Sequence, residues 1–205
     1  MEAIWLRRDG AARVVVFFAG WGAEPSDVAR LGGAYDVLFV RDWRVLDELP
    51  DLSAYAERLL VAWSFGVAAY GHWQVGRSDP FTRKVVVNGT LAPVDRERGI
   101  PPKVFAMTLA GLSEESFHAF LARSHGADQP RRAVDVAAMT AELESVRDRG
   151  PAPEVRFDKI WIGTADRIIP TANQRRAWEG QAGRITEIDA AHAPFAHWSD
   201  WEALS

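Results

Sequence analysis

The run Arg13–Phe18 (RVVVFF) constrains this chain more than any other stretch: five apolar residues in direct succession, all of them β-branched or aromatic, with no polar alternation. A strand with one face in water alternates polar and apolar positions. A continuous run needs cover on both faces. Similar runs recur at Tyr35–Val40, Arg58–Trp63, Lys84–Val87, Asp158–Ile162 and Arg184–Ile188. The segments between them read as helices: Pro25–Leu31, part of Leu52–Leu60, Gly66–Val75, Thr171–Glu179 and Phe195–Leu204. This alternation predicts an α/β fold, a mostly parallel sheet with helices on both faces. Ala3–Arg7, followed by Asp9-Gly10, reads as a short leading hairpin.

One region breaks the alternation. Between Leu91 and Pro153 no strand is apparent. Ser113 fits an N-cap, with Phe117, Phe120 and Leu121 on one helical stripe. Asp135 fits another, followed by Val136, Met139, Leu143 and Val146. Pro101-Pro102, Gly126 and Gly150-Pro151 punctuate the stretch. The segment is longer than a crossover needs. It is expected to be a helical cap, residues 91–153, inserted in a single domain spanning 1–205. No repeat, low-complexity tract or second domain is visible.

Composition excludes several classes. The net charge of -4 argues against nucleic-acid binding, which rests on neutralising phosphates with Lys and Arg. With no cysteine there can be no disulfide, thiolate metal site or Cys nucleophile. No H-E-x-x-H or comparable spacing suggests a metal, and no cofactor is expected. The longest uncharged stretch, Leu59–Gly76, carries Ser64, His72, Gln74 and three glycines, so it reads as a strand entering a helix and not as a membrane span. Met1–Arg8 is too short and too soon charged for a signal peptide. A cytoplasmic protein with no membrane partner is expected, a monomer being the simplest state. Its nine Trp suit a core and apolar pockets.

Three short motifs carry chemistry. Ala62-Trp63-Ser64-Phe65-Gly66 lies where a strand becomes a helix, the setting of a nucleophile elbow that lifts a Ser hydroxyl above the sheet. The alternative is that Ser64 is only a helix N-cap. Asp166 follows a late strand (Ile162-Gly163-Thr164-Ala165-Asp166), where a carboxylate can orient an imidazole. The alternative is a cap for the helix near Thr171, and Asp95 is a fallback acid. Of five histidines, only His192 (Ala191-His192-Ala193-Pro194-Phe195) sits in a loop after the last strand, with His197 as its rival. The order Ser64, Asp166, His192, each after a predicted strand, is that of an α/β-hydrolase. Acyl transfer also needs two N–H donors facing the developing oxyanion. Phe65 and Trp21, the latter in Phe18-Ala19-Gly20-Trp21-Gly22, are placed to supply them. A dinucleotide-binding loop is excluded there, because Pro25 stands where the third glycine would be.

With FFAGWG, AWSFG, GTADRIIP and AHAPF in place, the chain from Arg13 onward resembles the α/β-hydrolases. More narrowly it resembles the short BioG-type pimeloyl-[acyl-carrier-protein] methyl ester esterases of biotin synthesis. The resemblance implies a serine carboxylesterase in which Ser64 attacks the ester, Asp166 and His192 activate it, and the backbone of Trp21 joins the oxyanion hole. It departs from the common pattern at Ala62, usually glycine, and at Ala19, where many hydrolases have histidine. It also implies an acyl-carrier-protein-bound substrate, although a small free ester fits the same chemistry. A general short-chain esterase or thioesterase and a non-catalytic binding protein are the alternatives. Acyl carriers are acidic, yet residues 91–153 hold eight Lys or Arg against nine Asp or Glu. Only a local cluster, Arg123, Arg131 and Arg132, offers a basic docking patch.

Overall fold

The structure, a computed structural model, describes all 205 residues. Seven strands form one sheet: β1 (Glu2–Arg7), β2 (Arg13–Phe18), β3 (Asp36–Arg41), β4 (Glu57–Trp63), β5 (Arg83–Val87), β6 (Lys159–Gly163) and β7 (Ile185–Ile188). Their order is β1-β3-β2-β4-β5-β6-β7. Every neighbouring pair is parallel except β1 with β3. The five helices are α1 (Phe65–Trp73), α2 (Pro102–Ala110), α3 (Glu114–His125), α4 (Val136–Arg149) and α5 (Thr171–Ala177). No helix is long and apolar enough to cross a membrane.

The six strands expected from the apolar runs are all present, shifted by a residue or so at their ends. The leading hairpin is not. β1 pairs with β3, setting Ile4 opposite Phe39 and Trp5 opposite Leu38. Both edges of β2 are already taken, by β3 and β4. The Asp9–Ala11 turn is instead held by the Asp36 carboxylate, which accepts the N–H groups of Asp9 and Ala11.

Three expected helices are replaced by tighter or irregular chain. Pro25–Leu31 contributes only a 3₁₀ turn, Pro25–Asp27. Leu52–Leu60 holds a turn at Ser53-Ala54 before β4, and the Asp51 side chain accepts the Ser53 N–H in competition with helical bonding. Phe195–Leu204 forms two separate 3₁₀ turns, Phe195–His197 and Glu202–Leu204. Between those turns the backbone bonds elsewhere: the Gly32 N–H donates to the Ser199 carbonyl, and the Trp201 N–H to that of Gly32. These bonds take up the Ser199 carbonyl and the Trp201 N–H that a helix would use.

The insertion between β5 and β6 has three helices where the sequence suggests two. Ser113 and Asp135 cap α3 and α4, their side chains accepting the Ser116 and Ala138 N–H groups. The unforeseen helix is α2, whose first residue is Pro102. Proline suits that position because its missing N–H would be unpaired there anyway.

Each sheet face has its own core. One packs Val15, Phe17, Phe39, Val61 and Trp63 under Leu31, Phe195, Trp198 and Trp201. The other packs Val14, Val16, Phe18 and Leu60 under Trp43, Tyr70, Trp73 and Trp178. A third cluster, with Trp21, Phe65, Phe105, Phe117, Leu143 and Ile169, fastens the insertion above the carboxyl ends of the strands.

Candidate active site

The site forms where β4 ends. Ser64 has φ 55 and ψ -126, a backbone conformation that residues other than glycine rarely adopt. The close passage of strand and helix imposes it. A Cβ on Gly66 would stand 2.1 Å from the Phe18 carbonyl oxygen, and one on Gly89 would stand 2.6 Å from that of Ser64. Ala62, fully buried, is accommodated where the common pattern has glycine. Ser64 occupies the N-cap position of α1, but its side chain makes no capping hydrogen bond. Its Oγ lies 2.8 Å from His192 Nε2.

On the other edge of the ring, His192 Nδ1 lies 2.7 Å from Asp166 Oδ2. With Nδ1–H donating to the carboxylate, Nε2 is left to accept the Ser64 proton. Asp166 makes the contacts of both readings. Its Oδ1 accepts the N–H groups of Ile168 (2.8 Å) and Ile169 (3.0 Å), forming the turn into α5, while Oδ2 faces the imidazole. All three residues are buried, so their charges and dipoles act in a low-dielectric setting.

The Trp21 N–H donates to no protein acceptor, and Phe65 opens α1, where a helix has no internal partner for its N–H. The Trp21 side chain is anchored by Nε1 donating to the Met139 carbonyl on α4 (3.1 Å) and lies edge-on to Phe117 and Phe120. Beside these two residues is a cavity of about 180 Å³, lined by Phe65, Ile100, Phe105, Phe120 and Leu143, with Arg123 and Arg167 also on its wall. This arrangement can activate a hydroxyl, receive an oxyanion and shelter an apolar chain.

The other candidates lie apart. Asp95 accepts the Glu97 and Arg98 N–H groups in a loop turn. His197 sits in the 3₁₀ turn against Trp198. His72 bonds the Gly150 carbonyl, and burial lowers its pKa. His125 faces Asp27 at 3.9 Å; burial lowers its pKa, and His192 and Arg132 add to this against the pull of Asp27. No group of three or more His, Asp or Glu is arranged to hold a metal.

The structure does not gather the three arginines into one free patch. Arg131 pairs with Glu115 at 2.8 Å, and Arg132 reaches Glu24 at 3.6 Å and lies over the Phe117 ring. Arg123 alone turns to the cavity.

Sequence reasoning missed two buried amides. Gln174 Nε2 donates to Asp166 Oδ2 (2.8 Å) and to the Ile169 carbonyl (3.0 Å). Asn88, directly after β5, bonds the loops on either side of the imidazole. The position of Asn88, in Val87-Asn88-Gly89 at a strand end, was the one available signal.

Strand order, the turn after β4 and the neighbouring imidazole define an α/β-hydrolase of the carboxylic ester hydrolase class. Its relatives narrow that class. Residues 1–204 match the family described as pimeloyl-ACP methyl esterase BioG, and the chain belongs to that family. It is similar to BioG from Haemophilus influenzae, whose crystal structure superposes with a TM-score of 0.87 at 29% identity, covering 100% of this chain and 99% of that one. It is 33% identical over 192 residues to the malonyl-[acyl-carrier protein] O-methyltransferase of Bacteroides fragilis (strain 638R). That match takes in 87% of this chain but spans only 39% of the relative's length. The enol-lactonase from Burkholderia xenovorans LB400 shares the fold, with a TM-score of 0.66 at 17% identity over 94% of this chain and 89% of that one.

Proposed function

We propose that this chain hydrolyses the methyl ester of pimeloyl-[acyl carrier protein], in the cytoplasm, as a step of biotin synthesis. The observation that carries the reading is the unbroken hydrogen-bond chain Ser64–His192–Asp166 in a member of the BioG family. His192 Nε2 takes the Ser64 proton as Oγ attacks the ester carbonyl carbon. The tetrahedral oxyanion accepts hydrogen bonds from the Trp21 and Phe65 N–H groups. Asp166 holds the imidazolium that forms, and Nε2 returns the proton to the departing methoxide, which leaves as methanol. Water, deprotonated by the same nitrogen, then attacks the acyl-enzyme and frees the carboxylate and Ser64. The acyl chain lies in the cavity walled by Phe65, Phe105 and Phe120, under the helical cap. Arg123 at that cavity, with Arg131 and Arg132 nearby on the insertion, meets the acidic carrier. All the reacting side chains come from one chain, so a monomer suffices.

The test compares kcat/KM for carrier-bound pimeloyl methyl ester with that for a free short-chain methyl ester. A clear preference for the carrier-bound ester, together with rescue of a biotin auxotroph lacking its own pimeloyl ester esterase, is expected. Equal rates and no rescue would make the chain a general short-chain esterase.

A further inference from the structure

We propose that Asn88 is a positioning residue, whose buried carboxamide fixes the Asp166 and His192 loops in register and so sets the imidazole between Ser64 and Asp166. This rests on the Ser64–His192–Asp166 reading above.

Asn88 is fully buried directly after β5, with φ 42, one of only three residues other than glycine at positive φ. Its side chain meets three backbone groups. Oδ1 accepts the Gly163 N–H at 2.6 Å, while Nδ2 donates to the carbonyls of Ala191 (3.0 Å) and His192 (2.9 Å). β5 and β7 are not neighbours, since β6 lies between them. The amide therefore bridges across β6 to the loop that follows β7. At its acceptor end it holds Gly163, whose own carbonyl accepts from the Asp166 N–H and from Thr171 Oγ. At its donor end it holds the backbone of His192. That same His192 carbonyl also accepts from Trp63 Nε1 at 2.8 Å, and Trp63 is the residue before Ser64. All three residues of the proposed triad are thus tied through the Asn88 amide and the carbonyls of His192 and Gly163.

The residue type follows from these demands. Only a carboxamide offers an acceptor and two donors together. The shorter one, Asn, also tolerates the left-handed region. Asp would set a carboxylate oxygen against two carbonyl oxygens. The loops come close enough for this because Gly163 has no side chain: a Cβ there would stand 2.5 Å from the Ala190 carbonyl oxygen. Asn88 touches no reacting atom and acts only through the backbones it holds. A misplacement of about 1 Å in such a site costs on the order of 10²-fold in rate.

Asn88→Gly removes all three side-chain bonds and suits the positive φ, so the backbone can keep its path. Asn173→Ala is the control. Asn173 is similarly buried and its Nδ2 also donates to two carbonyls, those of Arg96 and Gly99, away from the imidazole. With a small free ester, Asn88→Gly should lower kcat by roughly 10–100-fold with KM within about threefold. It should also shift or broaden the far-downfield NMR resonance of the proton between His192 Nδ1 and Asp166. Asn173→Ala should lower Tm while leaving kcat and that resonance in place. If Asn88→Gly does not fold, Asn88→Asp keeps the shape and the acceptor but not the donors, and should show the same kcat loss. Wild-type kcat and an unmoved resonance in whichever Asn88 variant folds would overturn the proposal. So would parallel losses of Tm and kcat in the Asn88 and Asn173 variants, which would mark a general packing role. Ser64→Ala is assayed alongside: activity surviving there would bring down the triad reading itself, whatever Asn88 does.

Discussion

The carboxyl edge of the sheet and the helical insertion above it are held together in different ways. At the edge, backbone meets backbone. Gly66, Gly89 and Gly163 leave no room for a Cβ, and Ser64 and Asn88 are held at positive φ. The insertion rests on side chains: Phe105, Phe117, Leu143 and Val146 pack on Trp21 and Ile169, while Val104 and Met107 of α2 face solvent. Chemistry that tolerates little displacement is best built on rigid strand ends with a supporting layer of hydrogen bonds. Side-chain packing between helices tolerates hydrophobic exchange at constant volume, so an apolar pocket can be reshaped there without disturbing the reacting groups.

If this contrast is right, substitutions at the edge should cost far more than those in the insertion. Asp166→Asn offers the imidazole an amide that can stabilise the wrong tautomer, so kcat should fall by roughly 10²–10⁴-fold, measured on a small ester. A rate near wild type there, with Asp95→Asn inactive, would move the acid to another loop. Gly66→Ala must push the start of α1 away from the Phe18 carbonyl. A stability loss of about 3 kcal/mol or more and near-complete loss of turnover are expected from denaturant titration and assay. Gly111→Ala, at the end of α2 with φ -98, should cost under about 1 kcal/mol. Equal losses in the two glycine variants would break the comparison.

Glu142 probes the insertion's attachment. It is buried on α4, its Oε1 near the Trp43 N–H, and burial raises its pKa to about 7, with Asp42 adding to the rise. Below the ordinary value of 4.5 both folded and unfolded chains hold the proton, and nothing is lost. As pH rises from there to about 7, the unfolded chain ionises first and stability falls; above that the loss is constant. Glu142→Gln should therefore match wild type at low pH and exceed it at pH about 8 by roughly 2–3 kcal/mol. A stability difference that does not change with pH would contradict the burial argument. The smallest effect belongs to Arg123, Arg131 and Arg132. Neutralising all three should raise KM for a carrier-bound ester severalfold at low salt, fading as salt rises, and leave a free ester unchanged. Because Arg131 and Arg132 already have acidic partners, Arg123 should account for most of it.

The same contrast explains what the sequence made legible. The strands could be read because a strand covered on both faces has nowhere to put a polar residue. The Ser64, Asp166 and His192 motifs could be read because each follows a strand within four residues, although β7, before His192, lies at the sheet edge with Glu187 exposed. The helix expected at Phe195–Leu204 failed for a long-range reason. Its aromatic residues do cover the sheet, but Gly32, more than 160 residues away, takes the backbone bonds of Ser199 and Trp201. Pro25–Leu31 also covers the sheet, with Val28 and Leu31, but its N–H groups close only single tight turns. Asn88 and Gln174 escaped notice because an amide looks the same in solvent as in a core. Only the Gly163, Ala191, His192, Asp166 and Ile169 groups brought against them give them a role.

The central claim is that Ser64, and no other side chain, becomes acylated. The most direct measurement is intact-mass and peptide mapping after treatment with a serine-directed fluorophosphonate, on wild type and on Ser64→Ala of equal Tm. One adduct per chain, on Ser64 in wild type and absent from Ser64→Ala, is the result predicted. An adduct that persists in Ser64→Ala, or that maps to another residue in wild type, would contradict the account.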